Sequence, residues 1–219
     1  MHPPDLLHQT YADLNSVLRS IEGDDEWAPT GCTGWCVRDL VQHLIGDPRR
    51  ALVALGTPAD SPPDTDAVTY WRSWSPGTDD AADERRLTRV VSGGWPSLAP
   101  LREAYAEVCG AAVHLLRLAD ADDPVTTQGH VLTVADLTRT LVFEAAVHHL
   151  DLVAHLDAPG PGAPALGLVR STLDGLLGVA EPVGWDDVTY ALAATGRRGL
   201  TPAERSTLGP LADRFPLTG

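Results

Sequence analysis

The chain has 219 residues and a formal net charge of −14, a length that suits one large domain or a domain with a small appendage. Its sequence pI is about 4.7, so the surface repels phosphate backbones and anionic lipids, and we expect no nucleic-acid and no membrane partner. Three cysteines, no leader-like start and no apolar run of membrane-spanning length predict a cytoplasmic protein without a disulfide framework.

The first half of the chain predicts two helical segments. Residues 3–23 carry apolar side chains at a 3.6-residue period, with Pro4 near the start and Gly23 at the stop. Residues 37–55 resume this spacing, and Pro48 predicts a kink or a break just before it.

Further helices are expected in the middle of the chain. Residues 80–91 predict a charged helix, and residues 96–119 predict an apolar one. Gly110 lies inside the apolar helix, where we interpret it as a point of close helix packing. Residues 122–133 are polar and β-branched and predict a connector.

The most informative segment is the helix expected to follow Thr133. It places Glu144, His148, Asp151 and His155 on one face of an otherwise apolar helix. Burying such groups without compensation costs several kcal/mol, and a divalent metal would supply the compensation. A carboxylate and a histidine four residues apart can bind one ion, and a catalytic zinc site typically has three protein ligands and an open position.

His43 is the best candidate for a third ligand, because it lies among apolar residues of the second helix, and two helices of a bundle can face each other. On the residues alone, a buried core histidine is the alternative for His43, and an internal hydrogen-bonded pair is the alternative for Glu144 with His148. Asp151 is expected either to orient a ligating imidazole or to bind an arginine.

The last part of the chain differs in composition from the rest. After a Gly- and Pro-rich stretch, residues 166–179 predict a helix, and Thr201 begins another, with Glu204 in its first turn. We therefore expect a mainly α fold, with a helical bundle over residues 1–160 and a small C-terminal helical or α+β extension over residues 161–219 packed on it.

Two pairs of residues have open roles. Arg197 and Arg198 are candidates for binding an anionic part of a cofactor or substrate, because guanidinium groups match carboxylates, and solvated surface arginines are the alternative. Cys32 and Cys36 lack the spacing of a thioredoxin-like pair. We favour a structural role for them, with Cys36 as a helix cap and Asp39 at the third helical position.

Two segments resemble a known family. Residues 34–47, GWCVRDLVQHLIGD, resemble a W-S/T-V-x-D-L-x-x-H-L motif, and residues 141–152, LVFEAAVHHLDL, resemble an E-x-x-x-H-x-x-D-L motif. Both motifs are those of mycothiol-dependent maleylpyruvate isomerase-like proteins, which belong to the DinB-like four-helix metalloprotein superfamily. The chain departs from the family at Cys36, usually Ser or Thr, at Leu150, commonly Trp, and in its shorter tail.

The resemblance implies that His43, Glu144 and His148 hold a divalent ion, usually zinc. From its place on the same helical face, we expect Asp151 beside them in the catalytic site. The resemblance also implies mycothiol as thiol cosubstrate and an isomerase or transferase that adds its thiolate to a small electrophilic substrate. We expect a monomer or homodimer. Mycothiol is an actinobacterial thiol, and basic residues that are all arginine fit a GC-rich genome. A hydrolase using metal-bound water and a non-catalytic, metal-stabilised binding module are the alternatives.

Overall fold

The computed structural model describes residues 2–73 and 79–218, and these residues are mainly helical. No helix among them is long and apolar enough to cross a membrane. The helices and strands in chain order are α1 Pro3–Ser20, α2 Val37–Leu44, α3 Gly46–Leu55, α4 Asp79–Ser92, α5 Leu98–Leu118, β1 Pro124–Thr127, β2 His130–Thr133, α6 Val134–Val153, α7 Ala163–Leu177, α8 Asp187–Ala194 and α9 Pro202–Leu208.

A four-helix bundle forms the body of the fold. Its members are α1, α5, α6 and the broken helix made of α2 and α3, and both α1 and α3 pack against α5 and α6. Apolar residues from each member fill the centre, since Leu7, Leu40, Leu101 and Leu141 are fully buried. The predicted mainly α bundle is therefore confirmed. The prediction that Gly110 is a point of close helix packing is wrong, because a Cβ on it would meet no atom within 4 Å.

The second helical segment breaks where the sequence predicts. α2 ends at Leu44 and α3 begins at Gly46, so Pro48 lies in the first turn of α3. Backbone N–H groups in a first turn make no hydrogen bond within the helix, so a proline, which has no N–H, costs nothing there. At the other end of α2, the backbone N–H of Cys36 donates to Asp39 Oδ2 at 3.2 Å, which matches the predicted cap. The break leaves His43 in the last turn of α2.

α6 is the most enclosed helix. Its first turn is capped as predicted, because the N–H of Asp136 donates to Thr133 Oγ1 at 3.0 Å. It contacts α1, α2, α3, α7 and α8, so side chains on most of its faces are buried. The helix ends at Val153, so His155 does not continue the predicted polar face and is exposed.

The predicted connector over residues 122–133 is instead a β-hairpin. β1 and β2 pair antiparallel, with Val125 opposite Leu132. The turn residues Gln128 and Gly129 both have positive φ, at 47° and 80°, as a two-residue hairpin turn of type I′ requires. β1 packs on α3 and β2 leads directly into α6.

The C-terminal extension is helical and packs on the bundle. α7 lies against α6 and α1, and α8 lies against α7 and α6. α9 begins with the predicted capping pair, in which the N–H of Thr201 donates to Glu204 Oε2 at 2.8 Å. The proposed boundary between residues 160 and 161 stays a prediction.

Candidate metal centre

The three predicted ligands meet at the imidazole of His148. Its Nε2 lies 3.2 Å from Nε2 of His43 and 3.3 Å from Oε2 of Glu144. Zinc bonds of about 2.1 Å at tetrahedral angles place two ligand atoms about 3.4 Å apart. Each of these two spacings therefore fits a pair of neighbouring ligands, and the part each residue plays in holding an ion stays a prediction.

Two helices bring these side chains together. Glu144 and His148 are one turn apart on α6, and His43 reaches them from the last turn of α2, which packs on α6. The indole ring of Trp35 packs on the imidazole of His43, with 5.0 Å between ring centroids. The Glu144 side chain is 21% exposed to solvent and the His148 side chain is 10% exposed, so the cluster lies just below the surface.

The surroundings leave His43 neutral and Glu144 charged. Burial, reinforced by the positive charge of His148, lowers the pKa of His43 to about 4, so this imidazole is neutral at neutral pH. Burial would raise the pKa of Glu144, but the hydrogen bond and charge of His148 lower it to about 2. The cluster thus offers a neutral nitrogen and a charged oxygen beside His148, which are ligand types that zinc accepts.

The other side of the His148 ring is held by Asp151. Nδ1 of His148 lies 2.9 Å from Oδ2 of Asp151. Arg197 donates to the same carboxylate, from Nε to Oδ1 at 2.9 Å and from Nη2 to Oδ2 at 2.8 Å. Asp151 therefore contacts the imidazole and binds an arginine at the same time, and the prediction that this imidazole ligates a metal stays a prediction. The carboxylate accepts from Nδ1–H, which leaves Nε2 directed at His43 and Glu144.

These contacts also set the charges of the pair. Burial raises the pKa of Asp151, but His148 and Arg197 lower it well below its usual value. Burial lowers the pKa of His148, but hydrogen bonds with Asp151, Cys32 and Glu144 raise it well above its usual value. A proton on His148 consequently competes with a metal ion for Nε2.

Sequence reasoning missed the part of Cys32. Its thiol donates to Asp151 Oδ2 at 3.2 Å and lies 3.8 Å from His148 Nδ1. Potential ligand atoms of Cys32, His148 and Asp151 all lie within 4.8 Å of one another, and among the described residues this is the group of three whose spacing could hold a metal ion. The charge of Arg197, held by both Asp151 oxygens, opposes a cation on the Nδ1 side of His148.

The two predicted cofactor-binding arginines have partners within the chain. Arg197 holds Asp151, and Arg198 binds Glu204 through two nitrogens at 3.0 and 2.7 Å. The guanidinium of Arg198 also lies over the ring of Trp185, 5.4 Å from its centroid. A role of either arginine in binding a cofactor stays a prediction.

Comparison with known proteins agrees with this architecture. A model of the mycothiol maleylpyruvate isomerase N-terminal domain matches residues 7–153, a range that contains His43, Glu144, His148 and Asp151. The searches of curated proteins and of solved structures gave no significant match. Because the match covers most of the chain and the fold is the expected bundle, the chain belongs to the mycothiol maleylpyruvate isomerase N-terminal domain family, within the DinB-like superfamily.

Proposed function

We propose that the chain is a zinc-dependent, thiol-using transferase or isomerase that activates the thiolate of mycothiol for addition to a small electrophilic substrate. The observation that supports the proposal best is the convergence of His43 and Glu144 on Nε2 of His148, at 3.2 and 3.3 Å. The family to which the chain belongs is named after a mycothiol enzyme, which supports mycothiol as the thiol.

The donor set suits such chemistry. A divalent cation held by two neutral imidazoles and one carboxylate keeps a net positive charge and lowers the pKa of a thiol or water bound to it. Three protein ligands leave a coordination position, as in catalytic rather than structural zinc sites. The Glu144 side chain is partly exposed, which supports access from solvent to an ion bound there.

Metal analysis of the purified protein tests the first half of the proposal. We expect about one divalent ion per chain, lost in the variants His43→Ala and His148→Ala. His114→Ala is the matched control, because His114 is exposed on α5, and it should keep the ion. An unchanged metal content in the two ligand variants would contradict the assignment.

Thiol dependence tests the second half. The protein loaded with zinc is incubated with mycothiol and a panel containing maleylpyruvate, an epoxide and an activated alkene, and both thiol and electrophile are followed. We expect consumption or isomerisation only when zinc and mycothiol are both present. Activity that persists without any low-molecular-weight thiol would instead favour a hydrolase, and bound metal with no activity in either arm would favour a binding module.

A further inference from the structure

One contact of the metal centre comes from outside the part of the chain that matches the family. The match ends at residue 153, whereas Arg197 follows α8 in the C-terminal extension. Its side chain keeps only 16% of its exposure, while the carboxylate of Asp151 that it binds is fully enclosed. Arg197 of the extension therefore places a largely buried guanidinium group against the carboxylate that contacts His148.

The turn that carries Arg197 is itself fixed. Gly196 has a φ of +75°, which favours glycine, and a Cβ there would lie 3.4 Å from Pro216. Nη1 of Arg197 donates to the carbonyl oxygen of Thr195 at 3.0 Å. The backbone N–H of Leu217 donates to the carbonyl oxygen of Ala194 at 2.7 Å, which ties the end of the chain to the end of α8. These contacts fix the backbone and side chain of Arg197 so that its guanidinium group points at Asp151.

The carboxylate of Asp151 is confined on its remaining side as well. The thiol of Cys32 donates to Oδ2 at 3.2 Å, and a Cβ on Gly31 would lie only 2.3 Å from Oδ1. The two-pronged contact with Arg197 engages both oxygens, so it sets the plane of the carboxylate, which a single donor cannot do. That plane determines how Oδ2 meets Nδ1 of His148.

We propose that Arg197 is a positioning residue of the metal centre, which fixes Asp151 so that the His148 ring presents Nε2 to the ion. The inference rests on the proposed function, because it requires that His148 binds a metal. It makes the C-terminal extension a working part of the centre although no ligand lies in it. Loss of an outer contact of this kind typically weakens metal binding about 10- to 100-fold.

The test compares zinc affinities, measured by competition with a fluorescent chelator, for the full chain and three variants. Arg197→Ala should bind zinc about 10- to 100-fold more weakly, and Arg197→Lys should fall between it and the parent, because lysine keeps the charge but not the fork. Arg170→Ala is the matched control. Arg170 also binds carboxylates in the extension, Glu181 at 3.3 Å and Asp187, but does not contact Asp151.

A chemical rescue separates positioning from general damage to the fold. Added methylguanidinium should restore zinc affinity to Arg197→Ala and should leave Arg170→Ala unchanged. The d–d absorption spectrum of the cobalt-substituted protein should shift in Arg197→Ala and return on rescue. Parental affinity in Arg197→Ala, or equal losses in both alanine variants without rescue, would overturn the inference. Failure of the parent itself to bind zinc would instead refute the proposed function and the inference with it.

Discussion

Gly31→Ala tests how closely the loop before α2 approaches the metal centre. A Cβ at residue 31 would lie 2.3 Å from Asp151 Oδ1 and 3.0 Å from Asp151 Cα. Rotating the Asp151 side chain can relieve the first contact but not the second, which is to the backbone. The backbone N–H of Gly31 also donates to the carbonyl oxygen of Asp151 at 2.9 Å, so the loop cannot withdraw without losing that bond.

Overpacking of this kind costs typically 1–3 kcal/mol. For a chain of this size a cost of ~2 kcal/mol lowers Tm by about 4–8 °C, and displacement of Asp151 should also weaken zinc binding. Thermal unfolding followed by circular dichroism, with and without zinc, measures both effects. Gly110→Ala is the control, since a Cβ there meets no atom within 4 Å, and it should raise stability by up to about 1 kcal/mol. A Gly31→Ala protein with the parental Tm and zinc affinity would refute the close approach.

Three further predictions concern the helix α6 and its side chains. Thr133→Ala removes the cap on Asp136 and should lower the free energy of unfolding by about 1 kcal/mol in denaturant titrations, whereas an unchanged midpoint would show that the cap is dispensable. Glu144→Gln keeps the shape of the side chain but not its charge. Zinc affinity should fall by more than the factor of about 10 to 100 that is typical for residues that contact a ligand but not the metal. Parental affinity would exclude Glu144 as a ligand. The pKa of His148 is raised in the folded protein, so without metal its stabilising contribution is present below about pH 6.5 and is lost as the pH rises through the folded pKa. Because zinc must displace that proton, its affinity should rise with pH by up to about tenfold per unit between pH 6 and 8, and an affinity independent of pH would exclude binding through Nε2.

Local signals in the sequence predicted the elements that bear the centre. The break before Pro48 and the caps at Cys36, Thr133 and Thr201 depend only on neighbouring residues, so the helix starts and the break could be predicted from the sequence. The hairpin could not be predicted from the sequence, because each strand has only four residues, too few for an alternation to stand out.

Contacts between distant residues could not be predicted in this way. The sequence makes Arg197 a candidate for binding a ligand's anion, whereas its contact with Asp151 depends on tertiary packing, which brings α8 against α6. Cys32 gave no signal beyond an unsuitable cysteine spacing, yet its thiol lies 3.2 Å from the same carboxylate across 119 positions of the chain. The same arginine or cysteine can bind a ligand or contact another side chain, and only its three-dimensional surroundings distinguish the two roles.

The sequence alone placed Glu144 and His148 on one helical face with Asp151 a turn further on, because the 3.6-residue period follows from backbone hydrogen bonding within a single helix. It also contained the motif that suggested His43. Only the tertiary structure brought Nε2 of His43 to 3.2 Å from Nε2 of His148 across 105 positions and directed Arg197 at Asp151. Those distances depend on how α2, α6 and α8 pack, which is set by buried side chains throughout the bundle and not by any local pattern.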